Sequence, residues 1–228
     1  MRCELLVSDV AGTVVSDDGV VLAAFESALH QTDPEGFALH RESWMTIAQL
    51  TMGQSKKEVF TRILGSESLA SEATEAFEAS YRANLDQVLP LPGVEKLLRD
   101  CSNSGVTVYL TTGFSRGTLD AVVEHCGWGT LISGTVTPEE AGAGRPSPAM
   151  IERAMSEAGV LTPEGVVVVG DTESDVKAGK AAQAGLVVGV LTGAHSRQTL
   201  EDAGADRVFP SIVSLRSILG LSESPEKS

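Results

Sequence analysis

The stretch "LVSDVAGTVV" (residues 6–15) decides how the rest of the chain is read. Its first half belongs to an apolar run, "ELLVSD" (4–9), that stops on Asp9, and a Gly12-Thr13 pair follows. A run that is apolar at consecutive positions reads as a strand covered on both faces, the pattern of a parallel sheet. A carboxylate at the end of such a strand is costly to desolvate unless something pairs with it. Asp9 therefore asks for a partner, and Ala11 beside it offers none.

Four further runs have the same character: "VTVYLT" (106–111), a weaker "LISGTV" (131–136), "VVVVGD" (166–171) and "LVVGVL" (186–191). Helical spacing lies between them. Val94, Leu97, Leu98 and Cys101 recur on one helical face; Leu119, Val122, Val123 and Cys126 do so after a Ser115 cap signal; Ile151, Ala154, Met155 and Ala158 follow Ser147-Pro148. Strands alternating with helices give an α/β fold with a parallel sheet. "FPSIVSLRSIL" (209–219) reads as a closing helix, and the tail 221–228 is expected to be disordered.

One block breaks the rhythm. Residues 16–89 carry no convincing strand; Val21, Phe25, Ala28 and Leu29 fit one helix and Phe77, Tyr81, Leu85 and Val88 another, before "LPLPG" (89–93) turns the chain back. The expected organisation is a core made of residues 1–15 and 90–220, with a helical insert at 16–89.

Composition bounds the function. A chain of 228 residues suits one large domain or a core with an insert, and 42% hydrophobic residues can build a packed interior. A net charge of −14 argues against nucleic-acid binding, and no apolar stretch is long enough to span a membrane. No charged leader with an apolar run behind it is visible, so a cytoplasmic location is the expectation. Cys3, Cys101 and Cys126 have no zinc spacing and read as buried reduced thiols; His195, in "TGAHSR", reads as a solvated or capping residue. The oligomeric state is left open, with a homodimer as one option.

Ligands in open α/β sheets bind beyond the carboxyl ends of the strands. Asp9 closes the first strand, Thr111-Thr112-Gly113 follow another, and Gly170-Asp171 end a third with Asp175 four residues on, on one face of the following helix turn. Singly, each Asp reads as a helix cap. Jointly, converging carboxylates repel, and a hard divalent cation such as Mg²⁺ with oxygen ligands relieves that. Thr111 offers a hydroxyl, Thr112 and Gly113 offer amides for an oxyanion, and Arg145 in "GAGRPSP" (142–148) can hold Asp9 and a phosphate by paired hydrogen bonds or stand as a surface ion pair.

The order "DVAGT", "YLTTG", "GRP", "GDTESD" resembles the four motifs of the haloacid dehalogenase superfamily, over nearly the whole chain. The resemblance implies a Rossmann-like core with a helical cap inserted after the first strand. It implies Asp9 as a nucleophile that forms an aspartyl-phosphate cleaved by water. It also implies Mg²⁺ held by Asp9, the Ala11 carbonyl and Asp171, with Asp175 supporting.

Most phosphatases of that superfamily carry a second Asp where this chain has Ala11, to protonate the leaving group and activate water. Dehalogenases lack it too, but use no metal and lose a carboxylate from the fourth motif, whereas "GDTESD" keeps both. The phosphonatase group resembles this chain more, with Ala at that place and Arg in "GRP". In that group a cap lysine forms a Schiff base with phosphonoacetaldehyde, and Lys56 in "TMGQSKKEVF" (51–60), after Met52-Gly53, matches it. The resemblance thus implies Met52, Gly53, Lys56, Thr112 and Gly113 at the substrate. Ser55 and Glu58 read as a capping box, which puts Lys56 in a first helical turn where the helix dipole should lower its pKa. Three roles are open for Lys56: imine-forming amine, clamp for an anionic substrate, or exposed helix lysine.

The chain departs from the phosphonatase pattern at three places: Val59 stands where the group has His, Phe114 where it has Tyr, and Val10 where it has Trp. The reading that results is a Mg²⁺-dependent hydrolase of a small phosphonate or a phosphate ester of the phosphoglycolate type. Its rivals are a non-catalytic binding module and a signalling receiver domain. The receiver is excluded by length and by the order of its acidic residues.

Overall fold

The computed structural model of the chain describes residues 3–16 and 18–221, so residues 222–228 of the expected disordered tail lie outside the described residues. Strand β1 (Leu5–Ser8) is followed by four helices, α1 (Val20–Thr32), α2 (Pro34–Leu50), α3 (Lys56–Leu64) and α4 (Glu67–Ala83). Then come α5 (Val94–Asn103), β2 (Thr107–Thr111), α6 (Arg116–His125), β3 (Gly134–Val136), α7 (Pro138–Ala141), α8 (Ala149–Ala158), β4 (Val166–Gly170), α9 (Glu173–Ala181), β5 (Leu186–Val190), α10 (Arg197–Asp202) and β6 (Arg207–Phe209).

The six strands form one sheet, ordered β3-β2-β1-β4-β5-β6, with every pairing parallel. Alternate residues of each apolar run feed opposite layers, as a pleated strand requires. Leu6, Val108, Leu110, Val167 and Val169 pack on one face, in a cluster continuous with α1, α4 and α5. Leu5, Val7, Tyr109, Val166 and Val168 pack on the other, against Met150, Ile151 and Ala154 of α8 and Ala178 of α9. The sheet order reverses between β1 and β4, so Asp9 and Asp171 leave neighbouring strands at the switch point where such folds bind ligands.

The stretch between β1 and α5 supplies helices and no strand of the sheet among the described residues. Its core is aromatic: Phe25 of α1 lies 5.0 Å from Phe60 of α3 and 4.9 Å from Phe77 of α4, ring centre to ring centre. No helix among the described residues is long and apolar enough to cross a membrane.

Several local expectations are corrected. The closing helix at 209–219 is absent: Phe209 ends β6, Pro210 cannot donate to a ladder, and only a short 3₁₀ turn follows at Ile212–Leu215. β3 is shorter than 131–136 because Leu131 and Ile132 donate back to the Trp128 carbonyl in a turn. The helix of Phe77 and Tyr81 ends at Ala83, leaving Leu85 in a 3₁₀ turn. α2 lay unread although Asp33-Pro34 announces it: the Asp33 carboxylate accepts from the Gly36 amide at 2.9 Å, with Pro in the first turn. α8 begins one residue after Pro148, whose preceding Ser147 hydroxyl accepts from the Ala149 amide. Cys3 and Cys101 are buried, and burial pushes their thiols up to about 12 and about 11, whereas Cys126 is only half-buried.

Candidate functional site

Asp9 sits just past β1, buried, with its amide donating to the Val169 carbonyl of the neighbouring strand at 2.9 Å. Asp171 follows β4 in the same way and is also buried. Its Oδ1 accepts from the Thr13 hydroxyl at 3.2 Å and its Oδ2 from the Ala194 amide at 2.7 Å. Thr13 and Ala194 were not singled out in the sequence; the Gly-Thr pair at 12–13 was the one signal for the first, and nothing marked the second. Asp175 lies inside α9 rather than beside Asp171 on a shared helical face. Thr172 is the N-cap, and Asp175 Oδ2 accepts from the Thr172 amide at 3.1 Å in a capping box. Asp175 thus does the ordinary work of a helix cap with one oxygen and faces the site with the other. Gly170 makes this possible, because a Cβ there would stand 2.2 Å from the Asp175 carboxyl carbon.

Arg145 is not a surface residue. It is 3% exposed, and its Nη1 donates to Asp9 Oδ1 at 2.6 Å and to Asp175 Oδ1. The expected fork, one arm on Asp9 and one on a phosphate, is replaced by a single nitrogen bridging two carboxylates. Nε and Nη2 are buried with no hydrogen-bond partner among the described residues. Burial alone would pull the guanidinium down, but Asp175 and Asp9 more than offset it and hold it charged.

The carboxylate oxygens of Asp9, Asp171 and Asp175 lie within 4.8 Å of one another. Against them stands the one guanidinium of Arg145, so with all three carboxyls ionised two negative charges remain in a buried space. Burial and the neighbouring carboxylates push Asp171 well above the usual carboxylate range; burial pushes Asp175 up to about 6 in spite of Arg145. An all-oxygen donor set carrying two surplus negative charges fits a hard divalent cation.

Beside this cluster is a small cavity of ≈ 30 Å³ whose wall includes Asp9, Ala11, Met52, Gly53, Lys56, Thr112, Gly113 and Asp171. Nearly every residue singled out from the motifs thus converges on one small space. Thr111 does not line it; with Arg145 and Asp175 it borders a separate ≈ 10 Å³ void.

Lys56 is 5% exposed, so it is not an exposed helix lysine. Its Nζ lies 5.4 Å from the Phe25 ring centre, 5.5 Å from Phe77 and 5.3 Å from Phe114. The Ser55–Glu58 capping box does not form. The first amide of α3, that of Lys56, instead donates to the Gly113 carbonyl at 3.4 Å. The turn before α3 presses on the core: a Cβ on Gly113 would meet the Gln54 carbonyl oxygen at 2.3 Å. Val59 and Phe114 are buried in the apolar shell around the lysine stem.

Ser115 stands at the N-cap of α6 as expected, but its side chain makes no cap bond within that helix. The Ser115 amide and hydroxyl donate to the buried Glu78 carboxylate at 2.9 and 2.8 Å, so α4 caps α6. His195 is a capping residue: its Nδ1 accepts from the Glu173 amide at 2.9 Å.

The family model described as haloacid dehalogenase-like hydrolase matches residues 3–183. The chain is 29% identical over 221 residues to a phosphonoacetaldehyde hydrolase of Bacillus cereus, covering 89% of this chain and 81% of that protein. It is 32% identical over 133 residues to a phosphonoacetaldehyde hydrolase of Parabacteroides distasonis, an alignment covering 58% of this chain and spanning 50% of that relative's length. Among solved structures, a hydrolase from Pseudomonas syringae superposes with a TM-score of 0.83 at 23% identity, covering 95% of this chain and 98% of that one. With that fold, and with the family model matching residues 3–183, the chain belongs to the haloacid dehalogenase-like hydrolases.

Proposed function

We propose that this hydrolase moves a phosphoryl group from a small phosphonate, of the phosphonoacetaldehyde type, to Asp9 and then to water, beneath a cap formed by residues 16–89. The observation that carries the reading is Lys56: a buried amine in the wall of the same small cavity as Asp9, at a site whose usual acid is replaced by Ala11. Relatives named phosphonoacetaldehyde hydrolase support it.

The chemistry follows from those residues. The Lys56 amine adds to the aldehyde carbon and expels water, leaving an imine. An Asp9 carboxylate oxygen attacks phosphorus; the O–P bond forms as the C–P bond breaks, and the electron pair moves into the imine as an enamine. A leaving group of this kind needs no acid beside Asp9, which accounts for Ala11. Water then cleaves the aspartyl-phosphate, and the enamine is protonated and hydrolysed to release Lys56. Arg145 holds Asp9 by its hydrogen bond, and in this reading Thr112 and Gly113, which line the cavity, offer their amides to the phosphoryl oxygens. Mg²⁺ would be held by Asp9, Asp171 and the Ala11 carbonyl with Asp175 in support, and when bound it neutralises phosphoryl charge.

A second reading has its own observation. Three aromatic rings around Lys56 Nζ stabilise an ammonium, which suits a clamp for an anionic phosphate ester such as phosphoglycolate. Borohydride reduction in the presence of phosphonoacetaldehyde separates the two. A reduced adduct mapped to Lys56 is expected. Absence of an adduct, with a raised KM for a phosphate ester in Lys56→Ala, selects the clamp.

A further inference from the structure

The ≈ 30 Å³ cavity at Asp9 holds little more than a water-sized group, but it does not stand alone. A cleft of ≈ 660 Å³, within the range of small-molecule sites, lies against it, and Met52 and Ala194 line both. The cleft runs between the start of α1, the end of α2 and the loop after β5. Its apolar wall includes Leu22, Leu50 and Leu91, and its polar wall includes Asp18, Glu173 and His195.

Among the described residues, no lysine or arginine lines the cleft. Glu173 shares its charge with Lys177 at 3.2 Å, whereas Asp18 has no ion pair among the described residues. The His195 ring accepts from the Glu173 amide at Nδ1, so in its neutral form Nε2 carries the proton and offers the cleft an uncharged donor, not a cation. The whole chain adds a background of −14. A carboxylate or second phosphate placed here would meet an uncompensated like charge with no basic group to receive it.

We infer that the cleft receives the far end of the substrate's leaving group, and that this end is neutral or amine-bearing and never a second anion. The inference rests on the phosphoryl-transfer reading and specifies the substrate class for it. Cations are confined to the reacting end, at Arg145 and Lys56, and the far end is read by Asp18. Asp18 has φ +40°, a conformation that Asn also adopts, so Asp18→Asn removes the charge without straining the turn.

The test reads binding rather than turnover, with three phosphonates of equal length: 4-aminobutylphosphonate, 4-hydroxybutylphosphonate and 4-phosphonobutyrate, measured by calorimetry with Mg²⁺ present. The amine is expected to bind about tenfold tighter than the carboxylate, with the alcohol between them, and Asp18→Asn is expected to shrink that gap several-fold. Equal binding of the three, tighter binding of 4-phosphonobutyrate, or a gap unchanged in Asp18→Asn overturns the inference and leaves the phosphoryl-transfer reading intact. Failure of all three and of inorganic phosphate to bind overturns both.

Discussion

At the scale of single residues, the site is a problem in charge. Three buried carboxylates face one guanidinium that spends a single nitrogen on two of them. Asp9→Asn removes the proposed nucleophile while keeping its shape, and kcat is expected to fall by about a thousand-fold or more; turnover at the wild-type rate in that variant or in chelator rules the mechanism out. Arg145→Lys keeps the charge but loses the planar fork, so it should retain more activity than Arg145→Ala. The alanine variant leaves the carboxylates with no buried cation and is expected to lose about 3–5 kcal/mol of stability in chelator, read as a drop in Tm. Equal activity in all three forms would make Arg145 a bystander.

At the scale of elements, the helical stretch is tied to the sheet at two points. One is the contact of the Gln54 turn with Gly113, where only a residue without Cβ fits. The other is Glu78, a buried carboxylate of α4 that takes both donors of Ser115 at the start of α6, with Arg82 of α4 donating to Thr118 at 2.9 Å. Glu78→Ala leaves the half-buried Ser115 amide and hydroxyl without their acceptor. It is expected to cost about 1.5–3 kcal/mol in a denaturant titration. A change below a few tenths would show that water satisfies Ser115 and that the tether is unimportant.

At the scale of the whole molecule, the cluster couples metal, pH and stability. Asp171 and Asp175 are both raised in the folded state, the latter to about 6, first by burial and then by the Asp9 carboxylate, with Arg145 pulling Asp175 part of the way back. A folded carboxyl with a raised pKa holds its proton where the unfolded one, at about 4, has lost it. Between those values the folded chain binds more protons, so the cluster's contribution to stability is highest below about pH 4 and falls as pH rises through about 6. In chelator, the stability advantage of Asp171→Asn over wild type should therefore be larger at pH 8 than at pH 5. Mg²⁺ should restore wild type at pH 8. A difference that does not change with pH, followed by thermal melts, would show that the carboxylates are not held in this strained arrangement.

Much of this was legible in the chain itself, because the information is local. Continuous Val-Leu runs read as strands covered on both faces, and two of the site carboxylates stand next to the ends of such runs, so β1, β4, Asp9 and Asp171 follow from short stretches. Phe25, Ala28, Leu29 and Phe77 declare helices by spacing alone. The tertiary structure decided what depends on residues far apart. Ser55 and Ser115 carry cap chemistry in sequence, yet their helix starts are served by the Gly113 carbonyl and by Glu78, which lie in other elements. Lys56 reads as a charged residue at a helix start, which in isolation belongs in water. Only the convergence of Phe25, Phe77 and Phe114 from three separate segments buries it, and a lysine's surroundings, unlike a strand's period, leave no trace in its own neighbourhood.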